Sequence, residues 1–208
     1  MATLTVLAGP NGAGKTLLIN RFKKLGYLPN VTLNLDQIPE QLYGNLSGNV
    51  YNAEKELRKL RHEFFFNQCK LAVQKQIDFA YECNLRQDQI AQVKLFEDAG
   101  YKIKLLYIYL KSLSISKNRV EYRLNIQKGL DIPTSRIEEN YYEGLKNLNQ
   151  SYAHWNELLI FDNSRDLKRK FNPYLELIIR EGKVYEKEIK NLPFIKEFIP
   201  NIFKLLDN

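Results

Sequence analysis

Lys15 and Thr16 close the run Gly9-Pro-Asn-Gly-Ala-Gly-Lys-Thr16, which has the spacing G-x-x-x-x-G-K-[ST]. These residue types at this spacing suit one chemistry. The glycines let the backbone wrap around an anion with its N–H groups turned inward. A helix opening at Lys15 adds its positive dipole end. Lys15 supplies a point charge for β- and γ-phosphates, and the Thr16 hydroxyl is a ligand for Mg²⁺. The run therefore predicts a P-loop that binds a nucleoside triphosphate, ATP or GTP, with Mg²⁺. Gly9, Pro10, Asn11, Gly12, Ala13, Gly14, Lys15 and Thr16 would line the nucleotide, with Thr16 on the metal. A glycine-rich turn without a ligand would leave Lys15 with no role.

Other candidates stand at the ends of apolar runs. Asp36 follows VTLNL and Glu82 follows IDFAY. Ligands in open α/β sheets gather at the carboxyl ends of strands. A carboxylate there can accept a proton from a substrate hydroxyl or hold a Mg²⁺-bound water. On the residues alone Asp36 reads first as an N-cap for a helix at Gln37, a role that does not exclude the other, and Glu82 suits a cap or a salt bridge. Arg119 and Arg123 are four residues apart and share a helix face. They would neutralise charge on the γ-phosphate or simply form a solvated basic face. Lys128 and Arg136 flank the loop LDIPTS and are further candidates for a lid from about Arg119 to Asn140. His62 beside Arg58 and Arg61 reads as surface. Phe64 to Phe66, Tyr107 to Tyr109 and Trp155 read as packing.

These residues need a scaffold that brings strand ends together. Apolar runs at Thr3–Ala8, Val31–Leu35, Ile77–Tyr81, Lys104–Leu110 and Leu158–Asp162 read as strands. Helical stretches lie between them, at Thr16–Leu25, around Gln37–Leu42, then Asn52–Lys75, Asp88–Ala99, Ser112–Ile126 and Ser135–Leu148. YGNLSGN reads as a loop. The alternation predicts an α/β fold, a P-loop NTPase-like parallel sheet of about five strands with helices on both faces. It ends near residue 164. The kinase-like domain is assigned to 1–164 and a helical C-terminal extension, packed on the core, to 165–208.

The 208 residues suit one elaborated domain. A net charge of +7 favours an anionic partner such as a nucleotide. Lys and Arg are dispersed rather than striped, so nucleic acid is not the expected partner. Cys69 and Cys83 have no metal spacing and read as thiols of a reducing compartment. With His62 and His154 the only histidines, a His-based metal site is not expected. MATLTVLAGP lacks a basic segment and runs into the P-loop, so it reads as a strand rather than a signal peptide. No apolar run approaches the roughly 20 residues that span a membrane. A cytoplasmic protein is expected.

Taken in order, several segments resemble the zeta-toxin family of P-loop kinases. AGPNGAGKT resembles its P-loop, and VTLNLDQI its second strand with an Asn-x-Asp element. FAYECNL resembles the stretch that carries a pocket Glu. EDAGYKIKLLYIYL, RVEYR, DIP, YYEGLKNL and IFDNS follow in the family's order, to about residue 164. The resemblance implies a kinase that moves the γ-phosphate of ATP or GTP, with Mg²⁺, to a hydroxyl of UDP-N-acetylglucosamine or a similar small acceptor. It implies an antitoxin protein as a candidate partner. Asp36 then matches the base for the acceptor hydroxyl, Glu82 with Asn84 the acceptor pocket, and Arg123 the charge-neutralising arginine, with Arg119 beside it on the nucleotide. The chain departs from the family where many relatives carry Gly-Gly-His and Arg-Arg-Tyr. Here Lys128-Gly129-Leu130 and Glu139-Asn140-Tyr141 stand. The alternative reading is therefore a nucleotide-binding module with decayed catalysis, acting through a protein partner.

Overall fold

The computed structural model describes residues 1–34, 50–127, 132–165 and 173–207. Asp36, the helix expected around Gln37, the YGNLSGN loop and Lys128 to Leu130 lie outside these residues.

Five strands form the parallel part of the sheet: β1 (Thr3–Ala8), β2 (Thr32–Asn34), β3 (Phe79–Cys83), β4 (Lys102–Tyr109) and β5 (Glu157–Asp162). Their order is β2-β3-β1-β4-β5. In β1, β3 and β4 successive residues are buried, although their side chains alternate between faces. Both sheet faces are therefore covered, which is why these strands read as near-continuous apolar runs. The helices are α1 (Lys15–Lys24), α2 (Val50–Lys75), α3 (Gln87–Ile90), α4 (Val93–Asp98), α5 (Leu113–Gln127) and α6 (Thr134–Ser151). The stretch read as one helix over Asp88–Ala99 is two short helices.

Strand β3 starts two residues later than its apolar run suggests. Its ladder with β1 pairs Leu4 with Phe79 and continues to Ala8 with Cys83. Glu82 is consequently inside the strand, level with Leu7 of β1 and Asn34 of β2.

Beyond residue 165 the helical reading is incomplete. The tail does hold two helices, α7 (Leu192–Phe198) and α8 (Pro200–Leu205). Ahead of them β6 (Tyr174–Arg180) and β7 (Lys183–Lys187) extend the sheet to seven strands, both antiparallel. They form a tight hairpin around Glu181 and Gly182, both at positive φ (47° and 72°), as a two-residue turn between twisted strands requires. Helix α7 packs on the sheet through Phe194, whose ring stacks on Tyr109 at 4.4 Å between centroids.

Candidate active site

The P-loop is built by close approach. Gly9 follows β1 at φ 149°, and a Cβ there would lie 2.2 Å from the carbonyl oxygen of Ile108 in β4. Only glycine lets the chain leave the strand along this path. Gly12, at φ 74°, passes 3.0 Å from the Ser116 carbonyl and 3.1 Å from Arg119 Cβ, measured from the Cβ it lacks. Helix α1 then opens directly after Gly14, with its first N–H groups toward the loop.

Lys15 is 7% exposed. Its ammonium donates to the carbonyl oxygens of Gly9 (2.8 Å) and Pro10 (3.1 Å) and to Oδ1 of Asn84 (3.1 Å). An ammonium only donates, so the oxygen end of the Asn84 amide must face it. The Thr16 hydroxyl donates to Glu82, 2.9 Å from Oε2 and 3.1 Å from Oε1. Glu82 and Asn84, two residues apart at the end of β3, thus reach the two chemically active residues of the P-loop.

Four side chains from other elements brace the loop, three through its backbone carbonyls and one through the Asn11 side chain. Ser116 Oγ donates to the Asn11 carbonyl (2.6 Å) and Arg119 Nη1 to the Gly12 carbonyl (3.2 Å), both from α5. Asn140 Nδ2 of α6 donates to Asn11 Oδ1 (2.8 Å), and Asn163 Nδ2, just past β5, to the Ala13 carbonyl (2.8 Å). Arg119 also donates to the Arg165 carbonyl (2.6 Å) and is 8% exposed. It braces the loop's shape. Arg123 lies one helical turn further on, half-buried, and its buried Nε has no hydrogen-bond partner among the described residues. Arg136 pairs with Glu139 at 2.7 Å.

Ser116, Asn140 and Asn163 are absent from the residues expected to touch the nucleotide loop. Asn163 had a usable signal, since it follows a strand as Asp36 and Glu82 do. Asn140 stands at the end of the expected lid, but neither it nor Ser116 is marked as a loop contact, because helical spacing does not reveal which face meets the loop.

Mg²⁺ takes oxygen ligands in an octahedron and keeps several waters, so few protein ligands suffice. The Thr16 hydroxyl donates a hydrogen bond to Glu82, its oxygen is a hard donor of the kind Mg²⁺ takes, and the Glu82 carboxylate suits a metal-bound water. This oxygen donor set fits Mg²⁺. Among the described residues no group of three or more His, Cys, Asp or Glu forms a cage for another metal. Burial pushes the thiols of Cys69 and Cys83 up to about 12, so neither is a nucleophile at neutral pH. Among the described residues no helix is long and apolar enough to cross a membrane.

No curated protein sequence matches the chain. The AvrRxo1-ORF1:-ORF2 complex is similar in structure, with TM-score 0.66 and 15% identity over 96% of this chain and 64% of that one. The chain thus spans less than two thirds of that protein's length. A structure of the PezAT chromosomal toxin-antitoxin system of Streptococcus pneumoniae is similar with TM-score 0.55 and 17% identity, covering 100% of this chain and 88% of that one. At these identities the likeness is one of fold. The zeta toxin family model matches residues 2–168, from β1 and its P-loop past Asn163, and the chain therefore belongs to the zeta toxin family.

Proposed function

We propose that the protein is an ATP- or GTP-dependent kinase that phosphorylates a hydroxyl of a small acceptor, a nucleotide sugar such as UDP-N-acetylglucosamine. The observation that carries this reading is the joint placement of Lys15 and Thr16 in a P-loop, with Asn84 and Glu82 of β3 bonded to them. Family membership over residues 2–168 supports the same chemistry.

Lys15 leaves part of its carbonyl shell to meet the β- and γ-phosphates. Thr16, oriented by Glu82, would hold Mg²⁺, which would supply charge neutralisation for the phosphates. Asp36, two residues beyond the end of β2, accepts the proton of the acceptor hydroxyl. The hydroxyl oxygen bonds to the γ-phosphorus as the bond to the β–γ bridging oxygen breaks, and the diphosphate leaves. Arg123 supplies charge to the transferring phosphoryl group. A cytoplasmic location suits this use of ATP. An antitoxin covering the site is the protein partner that fits, in line with the toxin-antitoxin system among the similar structures.

One observation favours the decayed-module alternative. The cations near the loop are mostly committed: Arg119 to backbone carbonyls, Arg136 to Glu139. Asn140, a neutral side chain, occupies the α6 position that meets Asn11. Incubation with ATP, Mg²⁺ and UDP-N-acetylglucosamine, read by mass spectrometry, separates the two. The kinase reading expects an acceptor heavier by one phosphate and an equal yield of ADP. Nucleotide binding without transfer to any sugar nucleotide establishes the alternative.

A further inference from the structure

Helix α6 carries Asn140, Gly144 and Asn147 at spacings of four and three, so they share one face. All three are buried, among Ile137, Tyr141, Leu145 and Leu148. A buried amide is costly unless bonded, and this stripe is bonded to the walls of the phosphate site. Asn140 meets Asn11 of the P-loop. Asn147 Nδ2 donates to the Leu85 carbonyl at 2.8 Å. Gly144 lets the Asn84 carbonyl approach so closely that a Cβ would stand 2.8 Å from it, and 3.0 Å from the Tyr107 hydroxyl.

Asn84 and Leu85 form the turn after β3. Leu85 sits at φ 61°, a left-handed conformation that a side chain with Cβ adopts only when its surroundings hold it there. Gln89 Oε1 holds one side, accepting from the backbone N–H groups of Asn84 (3.2 Å) and Arg86 (2.9 Å). Helix α6 holds the other. The turn delivers Asn84 Oδ1 to the Lys15 ammonium.

We infer that α6 positions the P-loop lysine, with Asn147 and Gly144 as positioning residues that act through Asn84. Neither touches Lys15. They fix the height and pitch of the turn, and so the place of Asn84 Oδ1 against Lys15. The inference rests on the reading that Lys15 binds the triphosphate.

A double-mutant cycle tests it, with Mg²⁺-ATP binding to the full chain measured by calorimetry. Asn147→Ala and Asn84→Ala should each weaken binding about threefold to tenfold, and the double variant no more than Asn84→Ala alone, because one path is cut twice. Gly144→Ala, which keeps the Asn147 hydrogen bond but displaces the Asn84 carbonyl, gives an independent cycle if Asn147→Ala does not fold. Unchanged affinity in Asn147→Ala or Gly144→Ala, or additive effects with Asn84→Ala, overturns the coupling. Lys15→Ala is the control, expected to weaken binding at least tenfold. If it does not, the phosphate reading falls and this inference with it. If it does and the cycles are additive, only the coupling falls.

Discussion

The Thr16 hydroxyl shares its single proton between both carboxylate oxygens of Glu82, at 2.9 and 3.1 Å. Glu82 is 7% exposed, and a buried carboxylate requires such partners. The contact orients the P-loop residue whose oxygen suits Mg²⁺.

Glu82→Gln should therefore weaken the Mg²⁺-dependent part of ATP binding by about tenfold, as loss of an outer-shell partner typically does. Binding of ATP in EDTA should be unchanged. Calorimetry with and without Mg²⁺ separates the two. If Glu82 serves only the acceptor, metal dependence will stay as it was and the acceptor KM will rise.

Asp36→Asn should retain nucleotide affinity and lose most phosphoryl transfer, because an amide cannot accept the acceptor's proton. Side-by-side titration with ADP and a turnover assay check this. Near-normal turnover would leave Asp36 as a helix cap.

Among the described residues the buried Nε of Arg123 has no hydrogen-bond partner, whereas Arg119 is bonded to the loop backbone. Arg123→Ala should lower kcat by roughly 10³-fold, the scale of a charge-neutralising arginine, with ADP affinity little altered. Arg119→Ala should instead weaken ADP as well as ATP, because it loosens the P-loop itself. Equal kcat values for wild type and Arg123→Ala would remove this residue from the chemistry.

Glu157 joins three strands, accepting from Lys104 of β4 at 2.7 Å and Arg180 of β6 at 2.8 Å. Burial by itself would raise its carboxyl, but the two cations hold it below the ordinary carboxylate value. A carboxyl depressed on folding adds stability above its unfolded pKa and loses it as pH falls through the folded one. Glu157→Gln should cost about 1–2 kcal/mol at pH 7, the scale of a hydrogen bond to a charged group. The difference should shrink as pH drops below about 4. Urea unfolding at pH 7 and pH 3 measures it, and a constant difference would show that charge plays no part.

The sequence by itself determined the nucleotide loop, because a backbone that must wrap an anion needs glycines at set positions, with lysine and threonine opening the helix behind them. It also determined the parallel core, since strands buried on both faces, such as β4, leave short apolar runs rich in β-branched and aromatic residues and bounded by turn residues. Fewer signals marked the hairpin of β6 and β7. Its turn is Glu181-Gly182, where glycine reads equally as the end of a helix, and only pairing with β5 distinguishes LELII as a strand.

Tertiary structure alone decided how the site is held. Glu82 is legible as a strand-end carboxylate, yet its approach to Thr16 depends on the β1–β3 register, which carries β3 on to Cys83. The bracing of the loop by Ser116, Arg119, Asn140 and Asn163 joins residues more than 100 positions apart. No local rule of propensity or spacing reaches that far. Arg119 and Arg123 look equivalent along the helix, and only the packing of α5 on Gly12 makes Arg119 the brace of the loop.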